Sequence, residues 1–112
     1  MSDKDSHSLQ TILDAISKII QFTQPLSDPD SFFHDVKTFD AVMMNFIVIG
    51  EMVDRISKIA KDDNPQIEWN RIKGFRNLVA HDYFGIDAEE VWQIISNDLP
   101  ILKVKIENII LF

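Results

Sequence analysis

Apolar residues along the chain fall into runs with helical spacing. Leu9, Ile12, Leu13, Ile16, Ile19 and Ile20 recur at three- and four-residue steps, the period of an amphipathic helix. The stretch "TQPLSDPD" at 23–30 carries two prolines and two aspartates and must end that helix. "SFFHD" after it suits a short helical turn. Thr38 is placed to cap a second long helix, with Asp35 and Asp40 near its positive end, and that helix is expected to run to about Lys61. Its buried stripe reads Phe39, Val42, Met43, Phe46, Ile49, Val53, Ile56 and Ile59 or Ala60. Met44, Ile47 and Val48 lie off that stripe, so the middle of the helix is apolar nearly all round and needs cover on two sides. A second subunit is one source of that cover.

"DDNP" at 62–65 reads as a loop. Trp69, Ile72, Phe75 and Val79 set a third helical pattern, ending near Tyr83 before Gly85 breaks it. Asp87 followed by Glu90 reads as a capping box for a helix burying Val91, Trp92 and Ile95. Pro100 suits the first turn of a last helix, whose Leu102, Ile106, Ile109 and Ile110 complete the core. No strand alternation, internal repeat or low-complexity segment interrupts this pattern. It predicts an all-α, antiparallel bundle of four main helices plus a short one.

With 112 residues the chain is expected to form a single domain over 1–112, residues 1–7 being a flexible tail. The polar start "MSDKDSHSLQ" does not resemble a signal peptide, and no apolar run approaches the roughly 20 residues of a membrane span. The absence of cysteine removes disulfides, thiolate chemistry and cysteine zinc sites, and is compatible with a reducing, cytoplasmic location. His7, His34 and His81 stand one per region, with no Glu-x-x-His spacing, so no metal site or cofactor is expected.

The net charge of −7 argues against nonspecific nucleic-acid binding, but its distribution is uneven. Residues 69–83 hold Arg71, Lys73 and Arg76 against Asp82 alone, the one net-positive stretch of an acidic chain. A local positive site on a repelling body selects the anion it holds. That stretch contains "RNLVAHDY" at 76–83. On an ideal helix, turning about 100° per residue, Asn77 and His81 share one outward line and Arg76 and Tyr83 share another on the flank. Leu78 falls on the core side with Phe75 and Val79. Arg76 and His81 align only loosely on one helix and would converge better across a twofold axis between two copies.

The residue types suit phosphate chemistry. Histidine gives or takes a proton near neutral pH. Arginine stays charged and its planar fork matches phosphate oxygens. Asparagine orients either group by hydrogen bonding. Asp82, the nearest acid in sequence, would stand alone, so metal-free handling of a phosphodiester is implied. By residue type alone, a solvated helix face is the commoner explanation of such a stretch.

The pattern of the motif changes that balance. "RNLVAHDY" resembles the R-N-x-x-x-H signature of the HEPN superfamily and the fuller R-x-x-x-x-H-x-Y form of HepT-type toxins. "FDAVMMNFIVIGEMVDRISK", "IEWNRIKGFRN" and "HDYFGIDAEEVWQII" resemble the flanking helices of that family, and the likeness runs from about residue 9 to the C-terminus. The sequence departs mildly at Met52, where a small residue is expected, and at Phe22, near a common tyrosine position. The resemblance implies a helical homodimer that cuts RNA without metal in a cleft at the dimer interface. It also implies a minimal nucleotidyltransferase antitoxin that adds AMP to the motif tyrosine. Carried over by position, His81 is general base or acid, Arg76 stabilises the phosphorane, Asn77 positions His81 or the phosphate, and Tyr83 lines the cleft and is modified. The line shared by Arg76 and Tyr83 then offers a reason for inhibition, since AMP on Tyr83 would set its phosphate beside Arg76. Glu51 and Lys73 are expected as cleft support, Glu51 more as a salt-bridge partner of the motif helix than as a catalyst.

Gly50 in mid-helix requires a packing reason, for which close helix approach is the expectation. Trp69 and Trp92 read as core, and Met43, Met44 and Met52 as core or interface filler. The other reading of the same motif is a non-catalytic module that binds a nucleotide or a nucleotidyltransferase; the acidic body favours it.

Overall fold

The computed structural model describes residues 1–111. Seven α-helices are present among them: α1 (Asp3–Thr23), α2 (Pro29–His34), α3 (Val36–Arg55), α4 (Lys58–Asp63), α5 (Trp69–His81), α6 (Ala88–Gln93) and α7 (Leu99–Leu111). A 3₁₀ turn, Tyr83–Gly85, follows α5, and a π turn, Ile94–Asp98, joins α6 to α7. The all-α architecture is the one the periodicity predicts. Four main rods form it: α1, α3, α5 and the α6–α7 pair.

The second rod, α3, is central. It packs against α1 on one side and α5 on the other; α1 also meets α7, and α2 meets α6. The two-sided cover its sequence demands is thus largely supplied within the chain. Met44 nevertheless remains 58% exposed on its outer face. Leu9, Ile12, Ile16 and Ile19 of α1 and Phe39, Val42, Met43, Phe46, Ile49 and Val53 of α3 are buried as expected. Phe46 of α3 and Phe75 of α5 meet edge to face with centroids 4.9 Å apart. Trp69 is buried and donates its indole N–H to the carbonyl of Asn64 at 3.1 Å, as a core residue should.

Several boundaries differ from expectation. The first helix begins at Asp3, capped by Ser2, so residues 3–7 of the expected tail are helical. Asp5 is 3% exposed and accepts from the backbone N–H and hydroxyl of Ser57 at 2.9 and 2.6 Å. That tether fixes the start of α1 and explains a second difference. The expected helix to Lys61 stops at Arg55; Ile56 is extended, and Ser57 caps α4 by accepting from Ala60. Hence Asp62 and Asp63 of the expected loop belong to α4, and Ala60 rather than Ile59 faces inward. The cap of α3 is Asp35, which accepts from the N–H of Thr38; Thr38 is the capped residue, not the cap. Asp87 caps α6 through the N–H of Glu89.

The π turn resolves the position of Pro100. Leu99 bonds back to the carbonyl of Ile94, five residues away, so α6 and α7 form one rod without a loop. Proline lacks an N–H and crowds the preceding turn, and a widened turn accommodates both.

Candidate active site

The motif sits where α5 crosses α3. A β-carbon on Gly50 would overlap the β- and γ-carbons of Arg76, so the bare backbone of α3 is what admits the arginine stem. Close approach is therefore the packing reason for this glycine. Beyond the stem, each of the three guanidinium nitrogens has a partner, and one N–H on each Nη is left over. Its Nη1 pairs with Glu51, its Nη2 lies 2.7 Å from Asp54 Oδ2, and its Nε donates to Asn77 Oδ1 at 2.9 Å. The Arg76 side chain is only 11% exposed, against 52% for Glu51 and 33% for Asp54. The hydrogen bond to Asp54, with Glu51 behind it, raises the pKa of Arg76 further, and the same bond holds the Asp54 carboxyl below its ordinary value.

Asp54 serves a second cation: its Oδ1 lies 3.1 Å from Lys73 Nζ. Arg71 pairs with Glu68 at 3.0 Å and Asp98 at 3.4 Å. All three cations of the net-positive segment are thus paired with carboxylates outside it: Glu68 just before it, and Asp54, Glu51 and Asp98 distant in sequence. The expected local positive site is corrected accordingly, as is the expectation that Asp82 is the only acid nearby. Asp54 and Asp40, both partners of motif residues, lie outside the motif. Asp40, Glu51 and Asp54 are separated by eleven and three residues, which puts them within about 60° on one face of a helix; that was the available signal.

Tyr83 is not on the motif helix. Asp82 leaves helical geometry at φ −140°, ψ 50°, and Tyr83 opens the 3₁₀ turn. The expected line shared by Arg76 and Tyr83 is therefore not formed. Tyr83 donates its hydroxyl to Asp40, near the start of α3, whereas Arg76 binds Glu51 and Asp54 near its end. Eleven helical residues, about 16 Å of axis, separate Asp40 from Glu51. Burial and the Asp40 carboxylate together push the Tyr83 phenol up to about 12. Phe39 and Phe84 hold its ring edge to face, with centroids at 5.9 and 5.7 Å.

His81 is the last residue of α5 and is exposed, as is Asn77. It lies five residues from Arg76, about 140° round an ideal helix. Asn77 orients Arg76. Leu78, expected toward the core, is 44% exposed. Among the described residues, no three His, Asp or Glu side chains gather as they would around a metal ion.

A family model described as "Ribonuclease HepT-like" matches residues 12–109. The chain belongs to the HepT-like family. It is 35% identical to "Probable ribonuclease HepT" of Thermococcus cleftensis, over 95% of this chain and 97% of that protein. It is 36% identical to "Putative RNase MJ0127" of Methanocaldococcus jannaschii, over 98% of this chain and 91% of that one. A second protein of that archaeon, "Putative RNase MJ1380", is 32% identical over 96% and 98% of the two chains. No solved structure matches at a comparable level. The HepT-like chain carries the arginine, asparagine, histidine and tyrosine of the motif within the matched region. No helix among its described residues is long and apolar enough to cross a membrane.

Proposed function

We propose that this HepT-like chain is an endoribonuclease toxin that works as a homodimer and cleaves RNA by metal-independent transphosphorylation. The observation that carries the reading is the intact Arg76, Asn77, His81 and Tyr83 set on a chain that matches the family over residues 12–109. His81, exposed at the end of α5, moves the proton between the ribose 2′-hydroxyl and the leaving oxygen. Arg76, held rigidly by Asn77, Glu51 and Asp54, offers its remaining N–H donors to the charge that develops on the phosphorane. These two groups point apart on one chain, and a second copy across a twofold axis brings one chain's histidine toward the other's arginine. The exposed Met44 on α3 gives that copy an apolar seat.

A minimal nucleotidyltransferase antitoxin adds AMP to Tyr83. Because Tyr83 stands at the Asp40 end of α3, the AMP acts by its bulk and charge in the cleft, not by meeting Arg76 on the same helix line.

The test is RNA cleavage by the purified protein in EDTA beside His81→Ala, with fragment ends identified. Fragments ending in 2′,3′-cyclic phosphate, lost in the variant, support the reading. A fully active His81→Ala protein removes it. One observation favours a second reading, a nucleotide- or nucleotidyltransferase-binding module that cuts nothing: the carboxylates of Glu51 and Asp54 already occupy Arg76. Intact RNA with wild-type protein whose Tyr83 carries no AMP selects that alternative.

A further inference from the structure

We infer that Asp40 is the proton acceptor when the Tyr83 hydroxyl takes a nucleotide, so that this chain supplies part of the chemistry of its own modification. The inference rests on the proposed modification of Tyr83. Nothing in the motif itself points to Asp40, which lies 43 residues earlier in the chain.

The geometry is direct. The phenolic O–H already donates to Asp40 Oδ1, so the proton lies on the path it must leave by, while the lone pairs of the oxygen face elsewhere. Asp40 is exposed and Tyr83 half-buried, so the pair lies at the surface of the molecule. Neighbouring residues of α3 fix both ends of the tyrosine: Phe39 holds the ring and Asp40 the hydroxyl. A phenol with a pKa near 12 supplies almost no phenolate at neutral pH, so attack needs a base that takes the proton as the bond forms. Asp40 on α3 is the titratable group bonded to the hydroxyl, and His81 and Asp82 precede Tyr83 in the chain. Asp82 is turned over Gly85, where a β-carbon would come within 2.7 Å of its carboxyl carbon.

The step balances. Tyr83 Oη bonds to the α-phosphorus of a nucleoside triphosphate, and the bond from that phosphorus to the bridging oxygen breaks. Pyrophosphate leaves with the electron pair, and the phenolic proton passes to Asp40 and then to water.

Tyr83 is the chain's single tyrosine, so tyrosine modification is read from intact mass without mapping. The experiment follows label from α-³²P-ATP into the full chain by a minimal nucleotidyltransferase, across pH, for wild type, Asp40→Asn, Asp40→Glu and Tyr83→Phe. Asparagine keeps an oxygen that accepts the hydroxyl's hydrogen bond but takes no proton. The expected result is a fall of about 10²-fold at neutral pH in Asp40→Asn. Its rate should climb toward alkaline pH as the phenol ionises unaided, and Asp40→Glu should recover much of the loss. If Asp40→Asn is labelled at the wild-type rate with the same pH profile, Asp40 only positions the ring and the inference fails. If the wild type takes no label, or Tyr83→Phe keeps it, the modification reading fails and the role of Asp40 falls with it.

Discussion

The stem of Arg76 fills the space that a β-carbon on Gly50 would occupy. Helix α3 therefore holds the motif by shape before it holds it by charge. The overlapping atoms would be the β- and γ-carbons of the arginine, close to its backbone, so rotation of the far end cannot relieve them.

Two glycine substitutions should consequently act in opposite directions. Alanine at Gly50 gains about 1 kcal/mol of helix propensity but forces overpacking worth about 1–3 kcal/mol and pulls Arg76 from its carboxylates. Net destabilisation is expected, with loss of activity. Gly74, on the outer face of α5, has nothing within 4 Å of its would-be β-carbon. Alanine there should stabilise the fold by about 0.5–1 kcal/mol. Urea denaturation of both variants checks the pair; the same sign for both would contradict the packing described.

The N-terminal tether predicts a pH dependence. Hydrogen bonds from Ser57 hold the Asp5 carboxyl below its usual value. A lowered folded-state pKa means that the stabilisation is present above the unfolded value, about 3.9, and is lost as pH falls through the folded one. Asp5→Ala should therefore cost about 1–3 kcal/mol at neutral pH, leaving Ser57 without its acceptor. The gap between wild type and variant should close in strong acid. Thermal melts from pH 7 down to pH 2 measure it, and a gap that stays constant would show that the carboxylate charge does not carry the stabilisation.

On the surface of α3, Met44 is exposed in the single chain, so a charge there leaves the fold intact. Met44→Glu should shift the protein from dimer to monomer in sedimentation velocity and abolish RNA cleavage, with an unchanged circular dichroism spectrum. A variant that remains dimeric places the interface elsewhere.

Salt offers a fourth check. Log affinity for RNA falls with log salt in proportion to the phosphates neutralised by free cations. Arg71, Lys73 and Arg76 are all paired, so the wild-type slope should be shallow. Asp54→Asn releases Lys73 and half-releases Arg76, and should steepen the slope by about one. Fluorescence anisotropy with a labelled RNA across a salt series reads both slopes.

Much of this architecture was legible in the sequence because helical spacing is a local signal. The rods, the proline-bounded end of α1, the cap at Asp87 and the buried faces of α1 and α3 follow from neighbours three and four residues apart. The break at Ile56 was hidden because Ile56 and Ile59 continue the apolar spacing of α3, while its cause, the bond from Ser57 to Asp5, spans 52 residues. Tyr83 reads as helical because no glycine or proline marks the departure at Asp82. The residue types of the site were readable, but its electrostatics were not. Which carboxylates meet Arg76, Lys73 and Tyr83 depends on how two helices cross, and the sequence fixes no crossing until the Gly50 contact is known.

The π turn at Ile94–Asp98 bears on how α7 can vary. Val91, Ile95 and Leu99 are buried at steps of four, a spacing that drifts about 40° per step on a regular helix and is straightened where the turn widens. The turn thus sets the rotational phase of every later residue. A regular helical turn through the same residues would instead rotate α7 by about 100°, carrying Ile106 from the core toward solvent while leaving composition and helical content nearly unchanged. The segment between Gln93 and Leu99 thus holds one residue more than a regular helix needs, and losing that residue would close the turn while leaving Ile106 facing the core.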